Sequence, residues 1–261
     1  LLLDDQLFEL DGPALAFSQT EIEQLLQRLP QPLCAQTASR ILQRSGGWCA
    51  GVRIALLEGS ELTIQPCKPG RPNTLLEYLE HELFSVLPAE LAQVWQVLAH
   101  LPRFNAELCE HLFGVGEGAQ YLRTLQDMAC FIEPWDGGGD WLQVFPPLAR
   151  LMRDEAWPGG RSWHRRACQW FIAQEDWQSA FEQALRAEEY EVAVSLLEHF
   201  SFEFLFQQDN ALLLLQLHER HGGELLLVSP HLVGLLVAAM LFAGRFEQAG
   251  QCMAQMARFA P

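Results

Sequence analysis

The sequence predicts a mainly α protein with a small strand and helical segment, a winged helix with a two-stranded wing, and TPR-like (tetratricopeptide-type) helical hairpins. Two stretches carry this prediction. Within residues 109–153, two helices are followed by short apolar runs that flank a glycine turn, and Pro146-Pro147 then opens another helix. After residue 161, an aromatic residue with an alanine three positions later opens three separate helices.

The wing is predicted from one hairpin pattern. Cys130 to Pro134 and Trp141 to Phe145 are short, apolar runs, and Asp136 to Gly139 between them supply the residues that a tight turn with positive φ needs. Gly114 to Gly118 are expected to form a loop before the second helix of this domain. That helix should present one apolar face, made of Tyr121, Leu122, Leu125, Met128 and Ala129.

The first 60 residues predict short strands followed by helices. Strands are expected at residues 7–10 and 15–17, and Ser18 with Glu21 forms a capping box that starts a helix. Further helices are expected at residues 34–44 and from Trp48. Residues 58–73, rich in proline and glycine, are expected to link this segment to a winged helix that occupies residues 74–156.

The third part, residues 161–261, is expected to consist of helical hairpins. The repeated pattern begins at Trp177, Tyr190 and Phe246, and each is followed by an alanine that lets the paired helix approach closely. The spacing between copies is irregular, so the repeat is degenerate.

An apolar band from Phe200 to Leu217, which includes Phe204 and Phe206, allows two interpretations. It packs internally against residues 231–242, or it forms a surface for a regulatory ligand, a second copy or another protein.

Composition disfavours several classes of function. The 261 residues carry 33 acids against 17 bases, a formal charge of −16, which opposes contact with nucleic acid phosphates. Seven cysteines without a Cys-x-x-Cys pair indicate free thiols in a reducing cytoplasm. Residues 225–244 are apolar, but Ser229-Pro230-His231 interrupts them, which favours a buried helix over a membrane span. The first residue is not Met, which indicates a piece of a longer protein.

No pattern of catalytic residues is evident. The sequence has no Gly-x-x-x-x-Gly-Lys-Ser/Thr phosphate loop and no Gly-x-Ser-x-Gly motif. His218 and His221 are three apart, yet no third ligand suggests itself, so no metal site is expected. We therefore expect neither catalytic residues nor a bound cofactor in this chain.

Several motifs resemble those of MalT-like regulators, the LuxR-family STAND ATPases of bacteria. In the wing region, the resemblance rests on a set of matching residues: Leu108-Cys109, Leu122, Leu125, Phe131, Asp136 to Gly139, and Phe145-Pro146-Pro147-Leu148. Further matches are Leu15-Ala16-Phe17-Ser18, Gly47 to Ala55, and His164 to Ala167 with Trp170-Phe171. Three family positions differ, because Ala16 replaces an arginine, Cys49 a proline, and Pro146 a histidine.

The resemblance implies an internal portion of such a regulator. Residues 1–60 would be the tail of the nucleotide-binding region, and the helical hairpins would begin a sensor. Gly47, Trp48, Gly51 and Pro146 would lie near the nucleotide. The full-length protein would bind ATP or ADP and an inducer, self-associate, and contact DNA through a separate C-terminal domain, with the winged helix as an internal switch.

Trp177, Tyr190, Phe204, Phe206 and Phe246 are the candidate residues for helical packing or partner binding. A different class of function is also open, namely a freestanding TPR-like adaptor that binds a protein and has no nucleotide partner. An upstream Walker motif in the same reading frame would distinguish the regulator from the adaptor.

Overall fold

The computed structural model describes residues 15–28, 35–57, 79–136, 138–154, 157, 159–207, 210–220 and 225–255. The chain divides into two compact units, Leu1–Trp157 and Pro158–Pro261. The predicted strand at residues 7–10 and the predicted linker at residues 58–73 lie outside the described residues.

The first unit begins with three helices, α1 (Gln19–Gln27), α2 (Ala35–Ser45) and α3 (Cys49–Leu57). The predicted capping box is confirmed, because the Ser18 N–H donates to Glu21 Oε2 at 2.9 Å and the Glu21 N–H donates to Ser18 Oγ at 3.4 Å. The three helices bury a common apolar cluster of Ile22, Leu26, Ala38, Ile41 and Val52.

Residues 15–17 do not form the predicted strand. Leu15 lies in a 3₁₀ turn and Ala16 in a bend, and α1 begins at Gln19. Phe17 does donate its N–H to the Gly47 carbonyl at 2.8 Å. Ser18 must be extended to cap α1, so the chain has too few residues for a ladder before the helix starts.

The remainder of the first unit is a winged helix. After a short π-helical turn (Glu80–Phe84), its elements are α4 (Ala89–Ala99), α5 (Ala106–Phe113), α6 (Glu117–Asp127), β1 (Ile132–Pro134), β2 (Leu142–Val144) and α7 (Pro146–Asp154). The strands pair antiparallel, with Ile132 opposite Val144 and Pro134 opposite Leu142. Phe104 adds a bridge to Leu142 through backbone hydrogen bonds of 2.9 and 2.8 Å. The predicted two-stranded wing is therefore confirmed.

The turn from α6 into β1 is tighter than predicted. Ala129 and Phe131 have φ values of 52° and 55°, in the left-handed region that side chains rarely adopt. Because such residues fit neither a right-handed helix nor a strand, α6 ends at Asp127 and β1 starts at Ile132. Met128 and Ala129 are consequently exposed and do not belong to the apolar helix face that the sequence predicted.

Gly118 lies inside α6 and not in the predicted loop. Gly114 and Gly116 do form the connection, with φ values of 113° and 84°. A Cβ atom on Gly118 would lie 2.2 Å from the Cys109 carbonyl oxygen. Glycine at this position therefore lets α5 and α6 cross in backbone contact.

The second unit is helical throughout its described residues. Its helices are α8 (Arg161–Ala173), α9 (Trp177–Arg186), α10 (Tyr190–Leu196), α11 (Asn210–Arg220), α12 (Pro230–Phe242) and α13 (Phe246–Gln255), with 3₁₀ turns at Leu197–His199, Phe202–Phe206 and Leu225–Leu227. The three predicted repeat aromatics each occupy the first position of a helix. Their partner alanines are buried, namely Ala180, Ala193 and Ala249. The predicted helical hairpins are confirmed.

Three hairpin turns of this unit share one backbone geometry. Glu175, Glu188 and Gly244 have φ values of 57°, 59° and 72°. In each turn the following N–H donates to a carbonyl five residues back, and these bonds are Asp176 to Phe171 (3.0 Å), Glu189 to Ala184 (2.9 Å) and Arg245 to Met240 (2.8 Å). This pattern is a Schellman cap, which satisfies the last carbonyls of each preceding helix.

The apolar band packs mainly inside the second unit. Leu214, Leu215 and Leu217 are buried on α11, which packs against α12. His231 Nε2 lies 2.8 Å from the Phe200 carbonyl oxygen. Phe206 is 71% exposed, so internal packing accounts for only part of the band. Among the described helices, none is long and apolar enough to cross a membrane.

Candidate functional site

The turn between α2 and α3 is built from two glycines with different roles. Gly47 has a φ of 79°, and a Cβ atom there would lie 2.4 Å from the Phe17 carbonyl oxygen. Gly51, one turn into α3, would place a Cβ atom 2.9 Å from the Trp48 ring. Because Gly47 has no side chain, the chain can turn sharply there. Because Gly51 has none, the indole of Trp48 can pack against α3.

Trp48 contacts both ends of the wing. Its ring meets Phe131 edge-on at 5.9 Å between centroids and Phe145 edge-on at 5.7 Å. Phe131 precedes β1 and Phe145 follows β2, so one side chain of the helical segment touches the hairpin at its entry and its exit. We name Trp48, Phe131 and Phe145 the aromatic junction. Edge-to-face aromatic pairs contribute roughly 0.5–1.5 kcal/mol each beyond the burial of their area.

The strained turn before β1 is held from a second direction. Trp95 of α4 is fully buried, and its indole N–H donates to the Cys130 carbonyl at 2.8 Å. Phe145 also donates its N–H to the Phe131 carbonyl at 2.7 Å. The left-handed residues Ala129 and Phe131 are therefore fixed by the winged helix on one side and by Trp48 on the other.

Helix α7 joins the helical segment to the winged helix. A Cβ atom on Gly46 would lie 2.8 Å from Pro147 Cγ, and Arg150 donates to the Gln43 carbonyl. At its other end, Arg153 donates from Nε to the Ala99 carbonyl at 3.1 Å and from a terminal nitrogen to Leu101. The two arginines thus connect α7 to both neighbours, α2 and α4. The sequence analysis did not select these two arginines. Their spacing of three residues places them close together on the surface of one helix, which could have marked them as a pair.

The structure brings the predicted nucleotide-proximal residues to one region. Gly47 and Trp48 form the α2–α3 turn, Gly51 lies in the first turn of α3, and Pro146 follows Phe145 of the aromatic junction as the first residue of α7. These residues carry no charged side chain, and proline offers neither a polar side-chain atom nor an N–H. Such uncharged residues are suited to packing between the helical segment and the winged helix. Any contact that they make with a phosphate would have to use the backbone or the indole N–H.

A second contact of the wing was also missed by the sequence analysis. The guanidinium of Arg103 lies over the rings of Trp135 and Trp141, at 4.6 and 4.4 Å from their centroids. Trp135 follows β1 and Trp141 precedes β2, so the cation contacts residues from both sides of the hairpin. This wing clamp fixes the distal part of the hairpin, as the aromatic junction fixes its base.

The predicted partner residues of the second unit do not form a single site. Trp177 stacks on His199 at 3.8 Å between centroids, and Phe204 is 5% exposed beside Phe200. Trp177 and Phe204 both line a groove of about 300 Å³. Phe206 instead pairs with Phe242 at 5.0 Å. Phe246 is 70% exposed, and Tyr190 is half-buried at the start of α10.

Two buried cysteines have thiols with raised pKa values. Burial raises the pKa of Cys109 to about 12, and burial, with help from Glu189, raises the pKa of Cys168 to about 11. Such thiols remain protonated at neutral pH and are poor nucleophiles. In the described part of the chain, no group of three or more His, Cys, Asp or Glu side chains could hold a metal ion. His221 lies outside that part.

Three helices, a bridge at Phe104 and a paired hairpin define the first unit as a winged-helix protein. More particularly, residues 80–162 match the family model of the MalT winged helix domain. The resemblance to MalT-like regulators drawn from the sequence motifs is thereby confirmed for the winged-helix segment.

Three relatives are consistent with the same resemblance. The chain is 26% identical to the HTH-type transcriptional regulator MalT of Serratia proteamaculans over 182 residues, which are 67% of this chain and 19% of that protein. It is 24% identical to MalT of Cronobacter sakazakii over 266 aligned positions, 98% of this chain and 29% of that protein. The serine/threonine-protein kinase PknK of Mycobacterium tuberculosis is 25% identical over 211 residues, 76% of this chain and 19% of that kinase. The chain thus spans less than a third of the length of these curated relatives.

Proposed function

We propose that this chain is the signal-transducing middle portion of an ATP-dependent LuxR-family transcriptional regulator. It couples the nucleotide state and the binding of an inducer or a partner to self-association, and the winged helix is the part that switches. The observation that carries this proposal is the aromatic junction, in which Trp48 of the helical segment contacts the wing at Phe131 and Phe145. The MalT relatives are named as transcriptional regulators, which supports the proposal that this chain is part of one.

The geometry of the aromatic junction suits transmission of a movement. Trp48 lies directly after Gly47, whose carbonyl accepts the Phe17 N–H, so the Trp48 ring follows any shift of the α2–α3 turn. On the other side, Phe131 and Phe145 are joined by a backbone hydrogen bond of 2.7 Å. The wing base therefore responds as one body when Trp48 moves.

The strength of the junction suits a reversible switch. Two aromatic pairs of roughly 0.5–1.5 kcal/mol each give a coupling of about 1–3 kcal/mol. Coupling energies of that size change a closed–open equilibrium by roughly 5- to 150-fold, which is the range of typical allosteric effects. A much stronger interface would not open when a ligand binds, and a weaker one would transmit nothing.

The nucleotide enters this proposal through Pro146. The family resemblance places a histidine at this position, and a charge-assisted bond from such a histidine to a phosphate contributes roughly 1.5–3 kcal/mol. Proline cannot make this bond. We expect the resting state of this regulator to depend less on bound ADP, and Pro146→His in the full-length protein to slow ADP release about tenfold. An unchanged release rate in a folded variant would show that residue 146 does not contact the nucleotide.

The winged helix is proposed to act within the polypeptide and not on DNA. The chain has a formal charge of −16, and the wing tip carries Asp136 and Asp140. Phosphate contacts need cationic side chains, and an acidic wing would be repelled by the DNA backbone. The partners of this portion are therefore expected to be other domains of the same protein and the inducer, protein or second copy that its helical hairpins contact.

Replacing Trp48 tests the proposal. In the full-length regulator, Trp48→Ala removes both aromatic pairs, and we expect transcription without inducer to rise at least about fivefold. Amide hydrogen exchange should quicken at Phe145, whose N–H donates to the Phe131 carbonyl at the base of the wing. Trp48→Phe keeps an aromatic ring and should stay within about twofold of the unmodified protein. A Trp48→Ala protein with unchanged far-UV circular dichroism and unchanged basal transcription would contradict the switch.

A further inference from the structure

The groove at the first hairpin turn of the second unit combines acids with aromatic rings. Glu175 lies in the α8–α9 turn, and Glu203 belongs to the 3₁₀ turn Phe202–Phe206. Both residues line the groove together with Trp177, His199 and Phe200, and none of the described residues that line it is an arginine or a lysine. The groove therefore presents negative charge beside ring faces.

The next hairpin turn shows that this lack of basic partners is local. Glu188 has the same left-handed conformation as Glu175, with φ values of 59° and 57°. Glu188 forms an ion pair with Arg161, and its neighbour Glu189 forms one with Arg165. At the α9–α10 turn, both acids thus have arginine partners from α8. At the α8–α9 turn, the described residues that line the groove beside Glu175 and Glu203 include no such arginine partner.

The aromatic side of the groove is closely packed. Trp177 and His199 stack with an interplanar angle of 6°. Phe200 packs on Phe204 at 4.6 Å and on Phe181 at 5.6 Å between centroids, and both of these neighbours are buried. Ring faces attract cations electrostatically, and nearby carboxylates add a charge-assisted hydrogen bond for each N–H group that reaches them. A ligand with a delocalised or primary ammonium cation matches both features.

We infer that this groove binds a small organic cation, with its guanidinium or ammonium group at the carboxylates of Glu175 and Glu203 and its carbon chain against Trp177 and Phe200. The volume of about 300 Å³ is at the small end of ligand sites and fits a metabolite-sized molecule. This inference rests on the proposed function in one respect: if the helical hairpins are the sensor, the organic cation is the chemical class of the inducer. Binding of the cation itself does not depend on that role.

The test uses the 261-residue chain and agmatine, which carries a guanidinium and an ammonium group. Isothermal titration calorimetry at neutral pH and low salt should give a Kd below about 1 mM. N-butylurea, a neutral molecule of similar shape, should give no binding heat. The double variant Glu175→Gln/Glu203→Gln should weaken agmatine binding at least about tenfold. The matched control Glu188→Gln changes the equivalent turn outside the groove, and its affinity should stay within about twofold.

Three results would overturn the inference: no binding of agmatine at 1 mM, equal affinity in the double variant, or an equal loss in Glu188→Gln, which would indicate general charge attraction. Binding of an arginine-containing peptide without binding of agmatine would also overturn it and would assign the groove to a protein partner. Because this measurement needs no transcription, its failure would leave the Trp48 switch untouched. Failure of the Trp48 experiment would likewise leave the groove in place.

Discussion

The two units use glycine at sharp turns for different reasons. At the α2–α3 turn of the first unit, Gly47 has a φ of 79°, and an added Cβ atom would lie 2.4 Å from a backbone oxygen of Phe17. At the α12–α13 turn of the second unit, Gly244 has a φ of 72°, and an added Cβ atom would meet nothing within 4 Å. The first glycine is required for space, whereas the second is required only for its backbone conformation.

This difference reflects two ways of building a fold. The first unit places backbones in contact at single positions, such as Gly47 and Gly118, so that each contact tolerates one residue type. The second unit repeats a Schellman turn whose left-handed residue is open to solvent, and Glu175 and Glu188 occupy it in two of the three copies. A repeated turn can therefore carry variable side chains, which suits a surface that contacts ligands.

The largest expected effect is at Gly118. A Cβ atom there would lie 2.2 Å from the Cys109 carbonyl oxygen and 2.5 Å from the Glu110 nitrogen, so Gly118→Ala must separate α5 from α6. We expect the free energy of unfolding to fall by about 3 kcal/mol or more, measured by urea denaturation.

Gly116→Ala is the matched control for that substitution. Gly116 has a φ of 84° and nothing within 4 Å of an added Cβ atom, so only conformational strain of about 1–2 kcal/mol applies. Equal losses in the two variants would show that the space between α5 and α6 does not set the requirement for glycine at position 118.

The sequence predicted features that depend on local signals, and it did not predict contacts between distant segments. Periodicity, the capping box at Ser18 and the glycine turn after Asp136 are local signals, and the helices and the wing that they predicted are present. Gly118 was assigned to a loop, because a glycine inside a helix signals a break unless the crossing helix is known.

The candidate sites were harder to predict, because they depend on residues distant in sequence. Trp48 was selected on a family motif, but its partners Phe131 and Phe145 lie about a third of the chain away. Arg103 was not selected at all, since its contacts with both Trp135 and Trp141 exist only once the hairpin has folded. Whether Gly47, Trp48, Gly51 and Pro146 lie near a nucleotide stays a prediction.

A smaller effect is expected at the wing clamp. Arg103→Met keeps most of the side-chain volume and removes the cation that lies over the rings of Trp135 and Trp141. Two cation–π contacts at a half-buried site contribute about 1–2 kcal/mol together, so amide exchange at Leu142 should quicken roughly 5- to 30-fold.

The comparison in the second unit is Arg166→Met. Arg166 lies over the ring of Trp163, at 5.2 Å from its centroid. One longer contact should contribute about 0.5 kcal/mol or less. If Arg103→Met lowers the free energy of unfolding by no more than Arg166→Met does, the wing clamp does not stabilise the hairpin.

The smallest effect expected is a gain in stability from Glu175→Gly. A side chain in the left-handed region costs roughly 1–2 kcal/mol, and the freedom that glycine adds to the unfolded chain offsets about half of this. We expect the free energy of unfolding to rise by about 0.5–1 kcal/mol, and the reciprocal change Gly244→Glu to lower it by a similar amount. Thermal unfolding of the two single variants and their combination measures both. Glu175→Gly should also weaken agmatine binding, so a protein that is more stable but binds less would show that this strained glutamate is kept for its ligand. If Glu175→Gly leaves stability unchanged while Gly244→Glu lowers it, the two turns are not equivalent, and the repeat does not explain their shared geometry.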